Sequence, residues 1–173
     1  MALIERAYKE KIVLIGCLIG VIGFIPFTIF RFLNENYLLA FVESCLAISI
    51  LAVFVYVWRT HKVELASLIM CVLFVSTCVA VVHIKGPALI YWSYPATMAC
   101  FCVLSTRTAA IINVSAMLML LPALYPALKS QEVFIIYTSQ ILLCLFGYTF
   151  TIMSHQEQNE LSKLAAKDGL TGA

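Results

Sequence analysis

A carboxylate inside an apolar run is the sharpest chemical signal in this chain. Glu43 stands in the run Tyr37–Trp58, about two turns from its start, where ionised groups are costly and by default functional. Arg31, Glu35 and Lys85 fall at the same end of the apolar runs. Two chemistries follow for Glu43: an ion pair with Arg31, or recognition of a ligand. Buried without a partner, its carboxyl would be a candidate proton sensor. A second group gathers around Gly86-Pro87 and Pro95, where His83, Lys85, Tyr91, Trp92 and Tyr94 combine cationic, titratable and aromatic side chains. Apolar walls with a few polar groups suit a small-molecule ligand. The competing explanation is an aromatic belt, because Trp and Tyr rings sit well at headgroup level. His83 is also a candidate metal or haem ligand, since haem iron accepts one His beside a second ligand such as Met. His61 and His155 fall at the opposite end, so one chain cannot supply a bis-histidine site across the bilayer.

The elements that must position these groups are apolar helices. Of 173 residues, 63% are hydrophobic and 12% charged, with a mean hydropathy of +1.01. Soluble domains carry about 25% charged residues, and one this small could not hide so much apolar surface. Lipid is the solvent that removes the conflict. A helix needs roughly 20 apolar residues to cross the hydrocarbon core. Six segments qualify: Ile12–Phe30, Tyr37–Trp58, Leu65–Val82, Ala88–Leu104, Thr108–Leu128 and Val133–Met153. Short polar turns separate them, so neighbours in sequence should pack antiparallel. The expected fold is an all-α membrane protein, a six-transmembrane-helix bundle spanning residues 1–153.

Orientation follows from Lys and Arg. One side holds Arg6, Lys9, Lys11, Arg59, Lys62, Arg107, Lys163 and Lys167, and the other only Arg31, Lys85 and Lys129. The positive-inside rule puts the richer side, and with it both termini, in the cytoplasm. The first apolar run lacks an Ala-x-Ala-like cleavage site and is expected to be a retained helix. A net charge of +2, without basic patches interleaved with aromatics, gives no footing for nucleic acid.

Several features read as packing. The seven cysteines fall inside apolar runs and form no Cys-x-x-Cys pair, so burial explains them better than disulfides or metal. Pro26, Pro122 and Pro126 should kink spans one and five. Gly16, Gly20 and Gly23 include a Gly-x-x-x-Gly pair that permits close helix approach, a candidate dimer face. Asn113 and Ser115 are expected to bond between helices.

After Met153 the chain turns polar, with no Gly or Pro before Asp168. Leu161, Leu164 and Ala165 sit at i, i+3, i+4, which would give a helix one narrow apolar stripe. The last span is therefore expected to run on through 154–167 as a cytoplasmic signalling helix. The ending, Leu161-Ser162-Lys163-Leu164-Ala165-Ala166-Lys167-Asp168-Gly169-Leu170-Thr171-Gly172-Ala173, resembles the opening of a GGDEF diguanylate cyclase domain. Those domains begin with Leu-x-x-Leu-Ala, two further residues, then Asp-x-Leu-Thr-Gly. Leu161, Leu164, Ala165, Asp168, Leu170, Thr171 and Gly172 match at that spacing.

The resemblance implies that residues 168–173 begin an output domain. The spans ahead of it would resemble the membrane-associated sensor (MASE-like) regions that precede such cyclases. The parent protein would then condense two GTP into cyclic di-GMP as a homodimer in a bacterial inner membrane, with GTP and Mg²⁺ bound by the missing domain. No cofactor and no catalytic residue is expected in this chain. Leu161, Leu164, Asp168 and Thr171 would carry the signal out, and a small molecule of unknown identity would be the input. Two rivals remain from other classes. One is a dimerising anchor without a ligand. The other is a small transporter or channel, for which only Glu43 and Asn113 would supply polarity.

Overall fold

The computed structural model describes the backbone of residues 2–171, and the side chains of residues 9–154 together with Gln156, Glu157 and Glu160. All regular structure among them is helical. The elements are α1 (Ala2–Leu33), α2 (Tyr37–Thr60), α3 (Val63–Lys85), a 3₁₀ segment (Pro87–Trp92), α4 (Ser93–Val103), α5 (Thr106–Leu124) and α6 (Ser130–Thr171). Five of these helices are long and apolar enough to cross a membrane, α4 being the exception. The chain is a multi-pass helical membrane protein. Ile19, Phe41, Ile111, Phe134 and Phe146 point outward and exposed, which only a lipid environment tolerates on this scale.

The helices begin and end where the local chemistry dictates. His61 closes α2 in the left-handed region, at φ 57°, and its N–H donates to the Val57 carbonyl at 2.9 Å, a compact helix stop. Gly86 closes α3 at φ 93°, a conformation that glycine adopts without strain. Pro87 then opens the 3₁₀ turn, where its missing N–H costs nothing. Ser105 caps α5 by accepting from Thr108 N–H. That helix stops at Leu124 rather than at the expected Leu128. Pro126 cannot donate to continue it, and Tyr125–Leu128 forms a turn instead.

Antiparallel neighbours dominate the packing. The broadest contact joins α1 to α2, while α6 lies on α4 and α5. One apolar core joins Val13 and Cys17 of α1, Ile50 and Val57 of α2, Ala66 and Cys71 of α3, and Cys100 and Phe101 of α4. A smaller one gathers Val82, Ile90, Leu120, Leu124 and Val133 at the His83 end. All seven cysteines are free. Of the glycines in α1, a Cβ added at Gly20 would stand 3.6 Å from Ile50 Cδ1, while one at Gly16 or Gly23 would meet nothing within 4 Å. The expected interhelical bonds of span five are absent from the described residues. Asn113 Nδ2 donates to Ala109 O at 2.9 Å and Ser115 Oγ to Ile112 O at 2.8 Å. Both carbonyls lie on α5 itself, so these side chains satisfy themselves locally.

Candidate functional site

Arg31, Glu43 and Trp92 come together at one end of the bundle. Arg31 leaves the last turn of α1 and Glu43 rises from α2, with Nε 3.5 Å from Oε1. Their side chains keep 20% and 11% of their exposure. The second carboxylate oxygen of Glu43 is buried without a hydrogen-bond partner. Glu43 also lines a cavity of about 30 Å³ with Phe24, Phe74, Thr77 and Trp92, room for a water molecule or two.

Trp92 is a packing residue here. Its indole stacks on Phe24 at 5.4 Å and meets Phe27 edge-on at 4.9 Å, both from α1. Its carbonyl accepts from the Cys78 thiol of α3 at 3.7 Å. Such aromatic contacts add about 0.5–1.5 kcal/mol each beyond area burial. They lock the 3₁₀ segment onto α1, so the ring faces inward rather than toward headgroups.

The rest of the expected mouth is dispersed. His83, Lys85 and Tyr91 are exposed. His83 Nδ1 lies 2.9 Å from the Val79 carbonyl of its own helix, so that nitrogen carries the proton. Tyr91 stacks loosely over Tyr94 at 6.4 Å. Tyr94 turns toward α6, where its hydroxyl lies 2.8 Å from Ser139 Oγ. Ser139 already donates to the Ile135 and Ile136 carbonyls, so the proton in that contact comes from Tyr94. Among the described residues, no three His, Cys, Asp or Glu side chains converge as a metal site needs. The side chains of Leu161, Leu164, Asp168 and Thr171 lie outside the described residues.

A second polar feature is a seam between α4 and α6. Ser93 Oγ donates to Gln140 Oε1 at 3.3 Å, and Gln140 Nε2 donates to Thr97 Oγ1. Further along, Thr151 Oγ1 reaches both the Phe101 carbonyl at 3.0 Å and the Gly147 carbonyl at 2.7 Å. With Tyr94–Ser139, these contacts bond α6 to α4 along most of α4's length. Of the seam's residues the sequence singles out only Tyr94, as a candidate ligand contact, although Gln140 is legible as a carboxamide inside an apolar run. Replacing Gln140 with Leu should lower bundle stability by about 1–2 kcal/mol, the upper part of the range for interhelical bonds in membranes. Unfolding in mixed detergent micelles measures it, and an unchanged midpoint would contradict the assignment.

The arrangement has no nucleophile–base pair and no convergent metal ligands among the described residues. It can pair charges, pack an indole between helices and transmit position from α4 to α6. Scanned against protein-family models, curated proteins and solved structures, the chain matches none of them, so geometry and sequence alone carry the functional reading.

Proposed function

We propose that this chain is a membrane sensory domain that passes a change at the Arg31–Glu43–Trp92 end through α4 to α6, and through α6 to a cytoplasmic diguanylate cyclase. The observation that carries the reading is α6 itself: a 42-residue helix that is bonded to α4 inside the bundle. At 1.5 Å per residue it is about 63 Å long, roughly twice the hydrocarbon thickness. A continuous rod of that length carries rotation or piston movement out of the membrane. The cyclase-like ending supports the choice of output. GTP and Mg²⁺ belong to that output domain and not to the bundle, and its chemistry calls for a homodimer.

Six crossings fit this reading. Six residues of 3₁₀ helix at about 2.0 Å and eleven of α4 at about 1.5 Å together extend about 28 Å, close to the hydrocarbon thickness of about 30 Å. With six crossings both termini share the Lys/Arg-rich side, the cytoplasmic face of a bacterial inner membrane. The α4–α6 seam favours a transducer over a passive anchor, which needs no bonding between its fourth and sixth helices. A transporter would need a continuous polar path, and liposome flux would reveal one.

The test is a chimera in which a diguanylate cyclase domain follows Ala173, with one to four alanines inserted between Ser154 and Leu161. Each insertion turns the helix by about 100°. Cyclic di-GMP synthesis is expected to rise and fall with the 3.6-residue period and to respond to substitutions at Glu43. A response flat in both would sink the proposal.

A further inference from the structure

Among the described residues, three buried side-chain nitrogen or oxygen atoms have no hydrogen-bond partner, and all three belong to one end of the bundle. They are Thr28 Oγ1 and Arg31 Nε of α1 and Glu43 Oε2 of α2. Buried polar atoms are otherwise almost always satisfied, so an unmet carboxylate oxygen in a residue only 9% exposed points to something it is built to hold. Arg31 meets that need loosely. Its Nε stands 3.5 Å from Oε1 and forms no hydrogen bond, so this contact is a charge attraction rather than a hydrogen bond.

The cavity that Glu43 lines has walls of one chemical kind. Besides Glu43, its polar side chains are those of Thr77 and Cys78 of α3 and the indole of Trp92. Thr77 Oγ1 already donates its proton to the Leu73 carbonyl at 2.7 Å, and the Cys78 thiol donates to the Trp92 carbonyl. Thr77 Oγ1 and the Glu43 carboxylate can therefore offer only lone pairs. Phe24, Phe74 and Trp92 supply aromatic walls, with Phe24 5.6 Å from Phe74 and 5.4 Å from Trp92. Aromatic rings attract cations to their faces. The volume of about 30 Å³ admits about one or two non-hydrogen atoms. Acceptors, a negative charge and aromatic rings around so small a space suit a ligand that is positively charged, donates hydrogen bonds and is very small. Water meets the size but not the charge, and an anion meets neither the charge nor the need for donors.

We infer that this cavity binds a small ammonium cation, the ammonium ion itself or methylammonium, in place of Arg31 as the counter-charge of Glu43. The ligand donates to the free Glu43 oxygen and to Thr77 Oγ1 and lies among the three rings. Arg31 stands in the last turn of α1, and its long side chain can extend toward the headgroups. Binding thus releases the charge contact that joins α1 to α2. Its role as the signal rests on the proposed reading of this end as the input of a sensory domain, and binding is measured apart from output.

The experiment uses the full chain in lipid nanodiscs carrying Trp58→Phe. Trp58 is 64% exposed, and its replacement leaves Trp92 as the one indole of the sequence. Methylammonium chloride titrated against sodium chloride at constant ionic strength should give a saturable change in Trp92 fluorescence. Tetramethylammonium, too large and without a donor, should give none. Thr77→Val, close to threonine in shape, should weaken binding about five-fold, the loss of one hydrogen bond. Glu43→Gln should abolish it. In Arg31→Ala the competing cation is gone, so methylammonium should bind about ten-fold more tightly than in the parent, and it should raise the unfolding midpoint of that variant. No saturable response, or one shared by tetramethylammonium and unchanged in both Thr77→Val and Glu43→Gln, would overturn the site. Binding no tighter in Arg31→Ala would overturn the displacement of Arg31. Binding that leaves the output of a cyclase chimera unchanged would support the site and sink the input role of this end. Output that follows the alanine insertions and Glu43 without any methylammonium binding would sink the site alone.

Discussion

Gly147→Val should destabilise the bundle by about 3 kcal/mol, the top of the usual range for overpacking a filled core. A Cβ at Gly147 would stand 2.5 Å from Phe101 Cδ2, 2.8 Å from Cγ and 3.2 Å from Cβ. The last contact decides the size of the effect. A ring can swing aside from a clash at its far edge, but Phe101 Cβ is fixed to the α4 backbone. Phe101 is itself only 3% exposed, held in the core between the helices. The two helices must therefore separate, and the separation falls next to the Thr151–Phe101 bond of the seam. Two consequences can be measured together. Unfolding in mixed micelles should show the loss of stability, and adding Phe101→Leu should recover part of it, because shortening the ring relieves the clash. Independent, additive losses would mean that the two residues do not press on each other. In a cyclase chimera the same substitution should also weaken coupling between Glu43 variants and output, since it parts α6 from α4.

How far the sequence foretold this molecule depends on which physics each feature obeys. The long helices were legible because bilayer thickness dictates their length and apolarity, and neither needs a partner to be recognised. The fourth segment, Ala88–Leu104, was marked out by its apolarity, but its division was not, because Pro87 and Pro95 bracket a stretch whose backbone adopts a 3₁₀ turn before α4. Arg31 and Glu43 could be paired in advance, since opposite charges near one membrane face have few other places to go. Trp92 could not be placed. A belt tryptophan and one stacked on Phe24 have the same residue type at the same depth, and only the rotamer separates them. The partner of Tyr94 could not be foreseen for a similar reason, because Ser139 lies 45 positions away. Asn113 looked like interhelical glue but satisfies its amide on its own helix, whereas Gln140, one methylene longer, reaches the neighbouring α4. Polar residues within spans announce that a bond must exist, not where it goes.

Arg31→Ala should be the most damaging single change among the polar groups, at about 3–5 kcal/mol, the penalty for stranding one member of a buried ion pair. The magnitude comes from Glu43, not from the 3.5 Å contact itself. One of its oxygens already lacks a hydrogen-bond partner, and without Arg31 its carboxylate would lose its neighbouring counter-charge while facing Phe24, Phe74 and Trp92. The converse change should be milder. In Glu43→Gln the charge left over is that of Arg31, at the end of α1, whose long side chain can extend toward the headgroups. Removing both charges with Arg31→Met and Glu43→Leu should restore near-native stability, because well-packed apolar residues often equal or exceed a buried pair. The double-mutant cycle therefore has a definite shape: a steep loss in Arg31→Ala, a shallower one in Glu43→Gln, and recovery in the apolar double variant. Unfolding in mixed micelles reads all three. Equal small losses of under about 0.5 kcal/mol would make the pair a solvent-screened surface contact instead. Should the cycle hold, a stable, charge-free variant at this end becomes available for the cyclase chimera. Its output would then distinguish a charge pair that signals from one that only holds α1 to α2.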